Sequence, residues 1–126
     1  MTRDMELIRK ILFAIEDKYV DVALYDIKIA GYEAKAIAYH CAILHEAGLL
    51  SDYKGQYAGG ELYSFGVGRL TWEGHELLDK IKSDTVWNRT KETIKTKGLP
   101  FAVEIVKEIA TAITTGLVQS AIAGLH

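Results

Sequence analysis

The chain has 126 residues with a single proline and no low-complexity tract, which suits one globular core plus an appendage and excludes a disordered linker between two domains. Hydrophobic residues make up 49% and charged ones 25%, a balance that excludes a disordered chain. A formal net charge of -2 does not favour a general polyanion binder, because phosphate binding draws on clustered Lys and Arg, so any DNA partner must meet a local positive surface.

From Asp4 to about Asp17, Met5, Ile8, Leu12 and Ile15 recur at helical spacing, joined by Leu7 and Ile11, with Glu6, Arg9, Lys10 and Glu16 opposite. This predicts an amphipathic first helix. Tyr25, Ile27 and Ile29 then alternate with Asp26 and Lys28, the period-two pattern of a half-buried strand near 24 to 29, closed by Gly31. Between Glu33 and Ala47, Ile37, Cys41 and Leu44 fall on one helical face, and Gly48 ends the helix in left-handed geometry.

Leu49 to Lys54 and Glu61 to Leu70 are short β-prone runs, and the glycines between them permit a hairpin, so a two-stranded wing is expected. Thr71 can cap a helix carrying Leu77, Leu78 and Ile81, although Gly74 stands where a full capping box would place Glu. Helical periodicity continues through Val86, Trp87 and Ile94 to Gly98, as one bent helix or as two with a break at Ser83-Asp84. Gly98 followed by Pro100 reads as a stop and a first-turn proline, so a last helix is expected from about Pro100 to Ala123.

The stretch Ile37-Ala38-Tyr39-His40-Cys41-Ala42-Ile43-Leu44-His45-Glu46-Ala47-Gly48-Leu49-Leu50 resembles the recognition helix and exit strand of winged-helix repressors. More closely, Arg3-Asp4-Met5-Glu6-Leu7-Ile8-Arg9-Lys10-Ile11-Leu12, the Tyr39-His40 stretch, Arg69 to Glu76 and Thr85-Val86-Trp87 together resemble a family of small bacterial and prophage proteins labelled as a domain of unknown function. That resemblance covers residues 3 to 98 and implies a fold without an activity. The fold class expected is α+β, mostly α: a winged helix-turn-helix of helix, strand, helix, two-stranded wing and helix, with an additional C-terminal helix. The usual helix before the recognition helix is replaced by the strand and turn at 24 to 32. Residues 1–98 form the winged-helix domain, with a long or bent last helix, and 99–126 the C-terminal apolar helix.

In that frame Lys35, Tyr39 and Ala42 face away from the core of the helix at 33 to 47 and are candidates for the major groove. Glu33 and Glu46 at its ends oppose a duplex. Lys54 and Tyr57 on the wing and Arg69 at its base are candidate backbone or minor-groove contacts. Arg89 and Lys91 begin the strongest basic run, which also suits the C-terminal part of a helix. From Ile109 to Leu125 no charged residue appears. Ile109, Ile113 and Leu117 supply apolar surface there, and Ala112, Gly116 and Ser120 form a small-residue ridge that admits another helix, so self-association through this segment is expected. A membrane span is not expected, because Thr111, Thr114, Thr115, Gln119 and Ser120 dilute the apolar run.

Cys41 and His45 are four apart, but no second pair stands at zinc-ligand spacing, so no metal and no cofactor are expected. Gly66-Val67-Gly68 lacks the further glycine of a dinucleotide loop and the carboxylates are scattered, so the protein is not expected to be an enzyme. The lone cysteine cannot close an internal disulfide, and the start Thr2-Arg3-Asp4 is charged, which places the protein in the cytoplasm. The expected function is DNA binding as a small transcriptional regulator acting on double-stranded DNA. The alternative is a protein-interaction module, or a phage-encoded modulator of a host protein, that does not bind DNA.

Overall fold

The structure, a computed structural model, describes residues 1–125; His126, the last residue of the expected C-terminal element, lies outside them. The described residues form an α+β fold, mostly helical, with five helices and a three-stranded antiparallel sheet. The chain divides into two compact units, Met1–Leu78 and the residues from Asp79 onward.

In the first unit, α1 (Met5–Lys18) starts where the Asp4 carboxylate accepts the backbone N–H groups of Glu6 and Leu7 at 2.9 and 3.2 Å. An N-cap of this kind satisfies donors that the first helical turn leaves without partners. Its apolar stripe is fully buried at Leu7, Ile8, Ile11, Leu12 and Ile15, as the spacing predicts. α2 (Ala34–Glu46) packs on α1 and buries Ile37, Cys41 and Leu44. Ala38 is also buried.

The first strand is shorter than the alternation suggests. β1 spans only Leu24–Tyr25, because Asp26 takes a left-handed φ of 51° and turns the chain. Its carboxylate holds the new direction by accepting Phe65 N–H at 2.9 Å and Ser64 Oγ–H at 3.0 Å. Asp is among the few residues that adopt this conformation, since its side chain bonds nearby backbone. The alternation reports sidedness only from Ile27 onward: Ile27 is buried, Lys28 exposed and Ile29 half-buried, whereas Tyr25, expected on the same side as Ile27, is 66% exposed.

β2 (Tyr53–Ala58) and β3 (Glu61–Val67) form the hairpin, and β1 pairs with the other edge of β3, giving the order β1-β3-β2. The reversal needs only Gly59 and Gly60, with φ of 59° and 80°. Two successive positive φ values make the tight turn whose twist matches paired strands, so β2 extends through residues expected in the loop. Leu50 and Leu70 form a further bridge below the hairpin.

α3 (Trp72–Ile81) begins at Thr71, whose hydroxyl accepts Gly74 N–H at 3.1 Å and donates to the Gly48 carbonyl. A Cβ at Gly74 would fall on the Leu49 carbonyl oxygen, which explains why the capping box is incomplete. The unit boundary lies within this helix.

In the second unit, the break at Ser83-Asp84 is real. α4 (Asp84–Lys97) is a separate helix capped by Ser83, whose Oγ accepts Val86 N–H at 3.3 Å, and it ends at Gly98 with φ 64°. α5 (Val103–Ala123) packs on α4 and starts three residues after Pro100. Pro100 therefore precedes the helix instead of occupying its first turn. Phe101 sets this boundary: its ring packs on that of buried Trp87, with centroids 5.7 Å apart, and holds the chain extended. Val106 and Ala110 are the buried residues of α5, and beyond them the helix is exposed except at half-buried Ile113. No helix of the described residues is long and apolar enough to cross a membrane.

Candidate nucleic-acid interface

Lys35, Tyr39 and Ala42 lie three or four residues apart on α2, so helical geometry stacks them along one stripe. Tyr57 comes from β2. The structure brings these four together: with Ala38, Tyr53 and Glu61 they line an open groove of about 330 Å³ between α2 and the hairpin. The remaining candidates do not converge there. Lys54 is exposed on β2 outside the groove, and exposed Arg69 donates from its guanidinium to the Leu70 carbonyl at 3.1 Å.

Two residues that complete the groove were not singled out from sequence, Tyr53 and Glu61. The run Tyr53-Lys54-Gly55-Gln56-Tyr57 carries a signal for the first, because alternate strand residues share a face. The two tyrosine side chains converge over Gly55, within 3.0 to 3.3 Å of where a Cβ would stand. Burial, with smaller contributions from Tyr57 and Cys41, pushes the Tyr53 hydroxyl up to about 12, so it stays a neutral donor and acceptor.

Glu61 carries no such signal, since its role depends on a contact between distant parts of the chain. Its carboxylate meets Lys35 Nζ at 2.9 Å, tying the hairpin end to the first turn of α2. A hydrogen bond and opposite charge lower the Glu61 carboxyl from its ordinary value and raise the Lys35 ammonium. Both side chains are well exposed, so the pair is screened by water and opens readily. The groove is thus an aromatic trough with one neutralised ion pair at its mouth. It can stack flat groups and exchange hydrogen bonds, and it offers a cation only when Glu61 lets go.

In the second unit, exposed Arg89 lines a recess with Ala112, Ile113, Gly116, Leu117 and Ser120, so this basic residue sits against the small-residue ridge. Ile109 is half-buried one turn earlier. Lys91 is half-buried, with its ammonium 5.5 Å from the centre of the Trp87 ring.

His40 and Cys41 of α2 are structural. His40 is buried, and its Nε2 accepts Asp4 N–H at 2.8 Å while Nδ1 lies 2.7 Å from the Ala36 carbonyl oxygen, which fixes a neutral ring with the proton on Nδ1. Burial pushes the Cys41 thiol up to about 12. Among the described residues no group of three or more His, Cys, Asp or Glu is placed to hold a metal ion.

Comparison with known proteins places the chain in a family. A family model described as a hypothetical protein family, DUF2513, matches residues 2–100. An uncharacterized protein of Haemophilus influenzae is 38% identical over 114 residues, covering 90% of this chain and 95% of the relative. No solved structure matches the chain significantly.

Proposed function

The chain belongs to the DUF2513 family, and we propose that it is a non-enzymatic winged-helix protein that binds double-stranded DNA as a small transcriptional regulator. The observation that carries this reading is the chain order helix, strand, helix, hairpin with the sheet order β1-β3-β2. In winged-helix proteins that arrangement presents one helix to the major groove and the hairpin to the flanking backbone. Here α2 is the groove-facing helix, with Tyr39 and Lys35 on its outer stripe, and the hairpin with Lys54 and Tyr57 is the wing. The usual helix before it is replaced by the turn that Asp26 starts.

Self-association through the exposed part of α5 would give a dimer two such surfaces, as paired half-sites require. The basic residues Arg69, Arg89 and Lys91 are secondary candidates for phosphate contacts.

A second reading has its own support. The Lys35–Glu61 pair neutralises the cation at the groove mouth, and three tyrosines line or flank it. Such a surface suits a protein partner better than a phosphate backbone, because tyrosine supplies large contact area with a polar tip.

One experiment separates them: fluorescence anisotropy of full-length protein on random and upstream-region duplexes at two salt concentrations. DNA binding predicts salt-sensitive affinity, with the salt slope reduced by about 1 in Lys35→Ala, since one phosphate contact is lost. Glu61→Gln should strengthen binding by releasing Lys35. Absence of binding at low salt would exclude the DNA reading and leave the protein-binding one.

A further inference from the structure

We infer, resting on the DNA reading proposed above, that Glu61 determines sequence specificity, its carboxylate reading a cytosine in the major groove through the N4 amino group of that base. Glu61 stands at the end of the hairpin and meets Lys35, in the first turn of α2, at 2.9 Å. In helix-turn-helix readers the first residues of the groove-facing helix are those that reach base edges. A side chain in hydrogen-bond contact with Lys35 therefore stands at the level of the bases.

The pair is built to open. The Glu61 side chain is 72% exposed and that of Lys35 61%, and an ion pair so exposed to water holds its partners weakly. A phosphate that draws Lys35 away leaves Glu61 as a bare carboxylate facing the duplex. Lys35 feels a second carboxylate, that of Glu33, through charge alone, and of the two acids only Glu61 lines the groove.

Charge then makes the position selective. A carboxylate brought to a duplex is repelled by the phosphates unless a donor receives it, so contact is penalised wherever the base supplies none. Major-groove edges carry two amino donors, cytosine N4 and adenine N6, and the edges of guanine and thymine carry acceptors without a donor. Adenine N6 lies between two acceptors, its own N7 and the thymine O4. Cytosine N4 has an acceptor, guanine O6, on one side only. Cytosine is thus the base that gives Glu61 a donor with the least repulsion.

The test is selection of duplexes from a randomised pool by full-length native protein, Glu61→Gln and Glu61→Ala, followed by anisotropy on single-base variants of the selected duplex. The native chain should select cytosine at one position, with about a tenfold loss of affinity for any other base there. Glu61→Ala should bind the four variants of that position alike. Glu61→Gln should prefer adenine there, because a side-chain amide offers the donor and acceptor that match adenine N7 and N6. Both substitutions also tighten binding by releasing Lys35, but a carboxylate that merely repelled DNA would do so without moving the base preference. Absence of a selected cytosine, or the same preference in the native chain and Glu61→Ala, overturns the inference and leaves DNA binding standing. Absence of binding at low salt overturns both.

Discussion

His40 and Cys41 are neighbours on α2 that use the same burial for different ends. His40 is polar and must be satisfied, and both ring nitrogens are: one receives the free N–H at the head of α1, the other reaches back one turn to Ala36. The residue therefore joins two helices through a group that metal binding would otherwise require. Cys41 is apolar in effect, fully buried, with its thiol pushed up to about 12 from an ordinary value of 9.0. The sign of the pH effect follows. A raised folded value leaves stability intact below the unfolded value. As pH climbs past about 9 the unfolded chain loses the thiol proton and the native chain keeps it, so stability falls until about 12. The slope contributed by this one group approaches about 1.4 kcal/mol per pH unit. Urea unfolding at pH 8 and pH 10 should show the loss in the native chain and a smaller one in Cys41→Ala, with other titrations common to both. An equal loss in the two proteins would mean that the thiol is solvated in the native state.

Among the elements, those with strong local patterning were legible and those set by a distant contact were not. α1 and α2 follow from their apolar spacing, the end of α2 from Gly48, and the hairpin from Gly59-Gly60. β1 stops early because Asp26 finds acceptable geometry only with Phe65 and Ser64 in reach, and α5 starts late because Phe101 meets Trp87. The candidate site divides the same way. Lys35, Tyr39 and Ala42 share a helical stripe that sequence displays, and Tyr57 follows from the wing. The ion pair with Glu61 joins two elements and leaves no periodic trace. Gly74 is the test at this scale, since α3 approaches the chain at Leu49 so closely that a methyl group meets the carbonyl oxygen. Gly74→Ala gains helix propensity of up to about 1 kcal/mol in isolation, yet the overlap with backbone should outweigh it and give a net loss of about 1–3 kcal/mol. Denaturant unfolding measures the sign, and a stabilised Gly74→Ala would show that α3 sits further from Leu49.

At the scale of the whole molecule, the unusual feature is apolar surface left on the last helix. Leu117, Val118, Ile122 and Leu125 are 41%, 50%, 57% and 82% exposed, in a stretch without a charged residue. Single exposed apolar side chains are ordinary, but a contiguous set on one helix end favours burial against a partner. Gly116 distinguishes a bare face from a covered one. A Cβ added there meets nothing within 4 Å in a single chain, so in a monomer Gly116→Ile removes a poor helix former and should stabilise the fold by up to about 0.5 kcal/mol. If a second copy packs its helix on the ridge of Ala112, Gly116 and Ser120, the same substitution holds the two backbones apart and weakens association. Mass in solution, measured by light scattering across micromolar protein, and thermal unfolding at the lowest concentration should then move in opposite directions: smaller particles and an unchanged or raised Tm. A native chain that is monomeric throughout the range would remove self-association from the proposed function and leave DNA contact to single copies. Loss of Tm without change of mass would instead place the ridge against the chain's own residues.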